Sequence, residues 1–78
     1  MKYIAGTIAD VLDDGAIATL VLDTGAHKHH LQADSGPLSE ALNALYGNDC
    51  IGKPVAVECD GAMLRSIEIP GAAPDYAI

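Results

Sequence analysis

The sequence predicts a small, mainly β barrel of five strands and one helix, in the order β-β-β-α-β-β. Three runs with strand-like alternation precede one well-signalled helix, which begins near Asp34 and ends at Gly47. Two further runs follow, joined by Asp60-Gly61. We expect one domain over residues 1–70, with a thin core, and a loosely ordered tail over residues 71–78.

The first strand is predicted over residues 3–12. Its apolar residues Ile4, Ile8 and Leu12 recur at even spacing and are expected to share one face. Gly6 interrupts that face, and a glycine here permits the bulge or bend that lets one strand contribute to two sides of a barrel.

The second and third strands are predicted over residues 16–23 and 28–33. Asp13-Asp14-Gly15 and Asp23-Thr24-Gly25 precede them, and Asp and Gly are typical of tight turns. The third strand is short and polar, so we expect it at an edge of the sheet.

The helix has a proline-containing first turn and a C-terminal glycine. Its candidate N-terminal caps are Asp34, Ser35 and Ser39. Its predicted apolar stripe consists of Leu38, Ala41, Leu42, Ala44 and Leu45.

The closing hairpin begins after Lys53-Pro54 and turns at Asp60-Gly61. In the fourth strand, alternation predicts that one face holds Val55, Val57 and Cys59. In the fifth strand, residues 63–69, one face is predicted to hold Met63, Arg65, Ile67 and Ile69.

This element order resembles that of the oligonucleotide/oligosaccharide-binding (OB) barrel, in which a helix joins strands three and four. The resemblance is topological, covers about residues 3 to 70, and implies no particular activity because many functions share the fold. An SH3-like barrel and an open sheet with one packed helix are the alternative folds.

The charge balance limits the classes of partner. Lys and Arg total 4 against 11 Asp and Glu, which gives a net charge of -7. This charge disfavours direct binding to nucleic acids and to anionic membranes, and it favours a basic protein surface.

The chain carries no recognisable catalytic motif, so we expect neither an enzyme nor a cofactor. Without Phe or Trp its core leaves little room for a large ligand cavity. No secretion signal and no apolar run of membrane-spanning length is evident, so a cytoplasmic location and reduced Cys50 and Cys59 are expected.

A histidine cluster is the one chemically unusual segment. His27, His29 and His30 lie close together, and imidazoles are common ligands of divalent metals. Their spacing matches no specific metal motif, and a polar edge strand explains them more simply.

The leading functional hypothesis is a non-catalytic acidic module that docks on a basic, nucleic-acid-binding protein surface. In size and charge the chain is similar to small phage or mobile-element inhibitors of the anti-CRISPR and antirestriction kinds. The alternatives are a metal-binding protein and a divergent OB-fold nucleic-acid-binding protein. The predicted interaction face comprises Asp10, Asp13, Asp14, Glu58, Asp60 and Glu68.

Overall fold

The computed structural model describes residues 2–70 and 76–77 and confirms the predicted order of the first five strands and the helix. Tyr76 and Ala77 of the tail pair with the fifth strand, whereas the rest of the tail lies outside the described residues. The elements are β1 (Lys2–Asp13), β2 (Ile17–Asp23), β3 (Lys28–Asp34), α1 (Ser35–Tyr46), β4 (Pro54–Asp60), β5 (Met63–Glu68) and β6 (Tyr76–Ala77).

The first five strands close into a barrel. Neighbouring strands follow the order β3-β2-β1-β4-β5, and a parallel contact between Gln32 and Met63 joins β3 to β5. The Gln32 amide donates a hydrogen bond to the Ala62 carbonyl oxygen at 2.7 Å. The third strand therefore lies at the end of the sheet order, as expected, but it also closes the barrel.

Strand β1 contributes to two sides of the barrel, as predicted, but its irregularity lies elsewhere than expected. Residues 2–7 pair with β4 and residues 7–13 with β2. The extra residue is Ala9, which lies between the pairs Ile8↔Leu22 and Asp10↔Val21. At Gly6 the register with β4 is regular, so the bulge lies at Ala9 and not at Gly6. Gly6 instead allows the Asp23 backbone to approach, since a Cβ at Gly6 would lie 2.5 Å from its carbonyl oxygen.

The bulge at Ala9 changes which residues of β1 face the core. Alternation reverses after the extra residue, so Val11 packs against the core and Leu12 is 52% exposed. The prediction that Leu12 shares one face with Ile4 and Ile8 is wrong for this reason.

A second irregularity has the same effect in β5. Arg65 is the extra residue between the pairs Glu58↔Ser66 and Cys59↔Leu64. Leu64 is therefore buried together with Ile67, although the two are three residues apart. Met63, predicted to share a face with Ile67, is 45% exposed, whereas Ile67 is buried.

The core lies inside the barrel and against one side of α1. Leu38, Ala41 and Leu42 are buried and Leu45 packs against the core, but Ala44 is exposed, contrary to the predicted stripe. The core cluster consists of Ile4, Ile8, Ala18, Leu20, Leu22, Leu31, Ala33, Leu38, Ala41, Leu42, Val55, Val57, Cys59, Leu64 and Ile67. Both cysteines are free thiols.

Both ends of α1 are attached to strands. Asp34 occupies the N-cap position, but its side chain makes no capping hydrogen bond. The Ser35 hydroxyl donates instead to the Asp13 carboxylate, at 2.7 and 2.8 Å from its two oxygens. At the other end, Gly47 has a φ of 64° and the Tyr46 hydroxyl donates to the Pro54 carbonyl oxygen at 2.6 Å. Among the described helices, none is long and apolar enough to cross a membrane.

Candidate docking surface

The six predicted carboxylates do not form one continuous face. Glu58 lies opposite Tyr3 on β1 and Ser66 on β5, and Glu68 lies opposite Ala56. Glu58 and Glu68 are thus diagonal neighbours on the outer surface of β4 and β5, about 7 to 8 Å apart between their strand positions.

Asp60 belongs to the same side of the molecule and is partly neutralised. It ends β4, and its carboxylate forms an exposed ion pair with Arg65 at 3.8 Å. Such exposed pairs contribute little to stability, about 0 to 1 kcal/mol. The three carboxylates of the closing hairpin therefore lie on one side of the barrel, with the exposed Tyr3 opposite Glu58 and the exposed Met63 opposite Asp60.

The other predicted carboxylates lie in and near the turn between β1 and β2. Asp13 accepts a hydrogen bond from the Gly15 amide at 2.8 Å, besides the one from Ser35. Asp10 accepts one from the Val11 amide at 2.8 Å. The bond from Gly15 confirms the turn chemistry that the sequence predicts at Asp13, whereas the bond from Val11 lies within β1 beside the bulge.

An open depression lies beside this turn on the outer surface of β1, β2 and β3. Leu12, Thr19 and Gln32 form a cross-strand row over it, and Met63 continues the row onto β5. Ile17 precedes Thr19 by two residues and is 40% exposed on the same side of β2. The volume of the depression is about 610 Å³, and its lining consists of Val11, Leu12, Asp13, Asp14, Ile17, Thr19 and Gln32.

We call the outward-facing part of this region the docking face, formed by the lining residues Leu12, Asp13, Asp14, Ile17, Thr19 and Gln32 together with Asp10, which precedes Leu12 by two residues on β1. The predicted residues Asp10, Asp13 and Asp14 belong to it. Sequence reasoning missed Leu12 as a surface residue, because the bulge that turns it outward leaves no clear signal in the alternation. Ile17 has the opposite parity to the buried Leu20 and Leu22 of β2, so alternation was the available signal for its exposure.

Asp14 is held at the rim of the depression with one carboxylate oxygen engaged. Its Oδ1 accepts hydrogen bonds from the amides of Ala16 at 2.9 Å and Ile17 at 2.8 Å. The bond from Ile17, then that from Ala16, holds the pKa of Asp14 below its ordinary value of 3.8. Its Oδ2 accepts no hydrogen bond from the part of the chain that the structure describes. In the described part of the chain, Lys53 pairs with Asp49 and Arg65 pairs with Asp60. No cation of that part forms an ion pair with Asp14.

The lowered pKa of Asp14 predicts a pH-dependent effect of Asp14→Asn, which keeps an acceptor oxygen but does not titrate. Because the folded pKa lies below the unfolded one, the ionised carboxylate stabilises the fold fully above pH 3.8, and this contribution is lost as the pH falls through the folded pKa. We expect the variant to unfold at lower urea concentration than wild type at neutral pH, and the two midpoints to converge in acid. Asp34→Asn is the control, because the Asp34 side chain caps nothing. A difference for Asp14→Asn that persists unchanged in strong acid contradicts this account.

The histidines do not converge on one site. The rings of His27 and His29 are 6.3 Å apart between centroids, in an edge-on arrangement. His30 lies opposite Val21, on the other face of β3 from the half-buried His29. Among the described residues no group of three His, Cys, Asp or Glu side chains is placed to hold a metal ion. The geometry therefore does not favour the metal site predicted from these three residues.

Fold and surface together define a small, closed five-stranded β-barrel with an open depression whose lining combines Val11, Leu12 and Ile17 with polar and acidic side chains. No protein-family model, curated protein or solved structure matches the chain.

Proposed function

We propose that this protein is a non-catalytic interaction module that docks on a basic protein surface through the docking face. The observation that carries the proposal is the exposure of Leu12 and Ile17 beside the Asp13 and Asp14 carboxylates. Protein interfaces commonly combine an apolar centre, which supplies affinity, with a charged rim, which selects the partner.

The net charge supports the same class of partner. At -7 the chain attracts a basic surface over long range and raises the rate of encounter with it. A nucleic-acid-binding protein suits this charge, because its basic groove accepts carboxylates in place of phosphates. An inhibitory role of the phage or mobile-element kind rests on size and charge alone.

Affinity capture from the native host, repeated with two charge-matched double variants, tests this proposal. Asp10→Asn/Asp14→Asn removes two charges from the docking face, and Glu58→Gln/Asp60→Asn removes two from the closing hairpin. We expect the first pair to reduce recovery of a basic partner about tenfold, equivalent to 1.4 kcal/mol, and the second to leave it nearly unchanged. Recovery should also fall as salt is raised from about 50 to 300 mM.

Two outcomes contradict the proposal. Salt-insensitive capture excludes an electrostatic mode of docking. Loss of the partner with the closing-hairpin pair alone moves the interaction to the outer surface of β4 and β5, where the sequence had placed part of it.

A further inference from the structure

The depression offers a partner more than negative charge. Two of its walls, Leu12 and Ile17, are large aliphatic side chains that solvent reaches, and Val11 lies beneath them against the core. Exposed aliphatic residues occur singly on many surfaces, but here two line one concave region together with polar Thr19 and Gln32. A purely charged partner would leave this apolar surface in contact with water.

The carboxylate and the apolar wall are parts of one turn. The Asp14 amide donates to the Ile17 carbonyl oxygen at 3.2 Å, and the Ile17 amide donates to Asp14 Oδ1 at 2.8 Å. These two bonds fix the Asp14 carboxylate beside the Ile17 end of the depression. A partner side chain bound to Asp14 Oδ2 therefore lies close to a second partner side chain that fills the depression.

We propose that the docking face recognises a segment in which a large apolar side chain is flanked by Arg or Lys. The apolar side chain enters the depression between Leu12 and Ile17, and the neighbouring cation binds Asp14 Oδ2. The inference rests on the proposed docking function and specifies the chemistry of its partner.

Other occupants fit this surface less well. A nucleic acid brings phosphates toward Asp13 and Asp14, and like charges repel. A second copy of this chain carries the same charge of -7. A basic segment without an apolar residue satisfies Asp14 but leaves Leu12 and Ile17 exposed.

Three fluorescently labelled peptides of twelve residues serve as probes, with alternating Arg and Leu, Arg and Ser, or Glu and Leu. Binding is measured by fluorescence anisotropy at about 50 mM salt, where surface electrostatics are weakly screened. We expect the Arg/Leu peptide to bind about tenfold more tightly than the Arg/Ser peptide, because one aliphatic side chain leaves water on binding. The Glu/Leu peptide should bind weakest of the three.

Protein variants test whether the preference for the Arg/Leu peptide arises at Leu12 and Ile17. Leu12→Ser/Ile17→Ser should abolish the preference for Arg/Leu over Arg/Ser. Tyr3→Ser/Ile51→Ser removes two other exposed apolar side chains and should leave the preference intact. All four positions are exposed, so the variants are expected to stay folded, which circular dichroism checks.

The outcomes separate this inference from the proposed function. Equal binding of the two Arg peptides, weakened by Asp10→Asn/Asp14→Asn, overturns the apolar contact and leaves electrostatic docking in place. Failure of every peptide to bind counts against both. A preference for Arg/Leu that survives Leu12→Ser/Ile17→Ser places the apolar contact elsewhere and also overturns the inference.

Discussion

Replacing Gly6 with alanine is expected to destabilise the protein by about 3 kcal/mol, at the upper end of the usual cost of overpacking. The added Cβ would lie 2.5 Å from the carbonyl oxygen of Asp23 and 3.0 Å from its carbonyl carbon. Both atoms are backbone, so β1 and β2 must separate where β1 passes from one side of the barrel to the other. A domain of this size has about 4 to 12 kcal/mol of total stability, so the loss is a large share.

Urea unfolding followed by circular dichroism measures this effect. The control is Ser39→Ala, at an exposed position of α1 where the change adds no atom. Alanine suits a helix better than serine, by up to about 0.7 kcal/mol, so the control should be neutral or slightly more stable than wild type. Similar urea midpoints for Gly6→Ala and wild type contradict the close approach of the two strands.

The order of the elements was predictable because local signals specify it. Turn residues such as Asp14-Gly15 and Asp60-Gly61 separate the strands, and in the structure Gly15 and Gly61 adopt the positive φ that these turns require. The helix was predictable for a similar reason, since Leu38 and Leu42 recur at helical spacing before Gly47. Strand order around the barrel then followed from the resemblance of the element order to a known fold.

Whether an individual strand side chain points into the barrel or toward solvent was less predictable, because one extra residue reverses the alternation of a strand. Ala9 and Arg65 are the extra residues, and neither is a glycine or proline that would mark a bulge in the sequence. Bulges depend on pairing with a neighbouring strand, which local alternation does not report. Alternation consequently grouped Leu12 with Ile4 and Ile8, and Met63 with Ile67, although Leu12 and Met63 are exposed.

The same two irregularities explain why the candidate site was only half found. Asp13 and Asp14 were visible as turn residues, and the structure places both at the depression. Leu12 was missed because alternation grouped it with Ile4 and Ile8, which are buried. The two bulges bring Leu12 and Met63 to the two ends of one cross-strand row through Thr19 and Gln32. Exposed apolar residues at irregular strand positions are consistent with a surface shaped for contact, since bulges commonly redirect side chains at functional sites.

The bulge at Arg65 leads to the second large prediction. Of the adjacent residues Met63 and Leu64, substitution of Leu64 should cost more stability, which is the opposite of what simple alternation of β5 predicts. Leu64 is 2% exposed and belongs to the core cluster, whereas Met63 is 45% exposed. Leu64→Ala should lower the free energy of unfolding by about 3 kcal/mol, since it removes buried methyl groups and leaves a cavity. Met63→Ala should change it by no more than about 0.5 kcal/mol, as is usual for exposed positions.

Urea midpoints of the two variants, measured side by side, decide between the bulged register and the simple alternation of β5. Simple alternation puts Met63 inward with Ile67, and it therefore predicts that Met63→Ala is the damaging change and Leu64→Ala the mild one. The bulge predicts the opposite order because Leu64 pairs with Cys59 after the extra residue and both side chains enter the core. Deleting Arg65 gives a third test: without the extra residue Leu64 directly precedes Ser66 and keeps the inward parity opposite Cys59, so the shortened β5 should pair regularly with β4 and the variant should stay folded. A deletion variant that no longer folds would show that Arg65 is not a removable extra residue of β5.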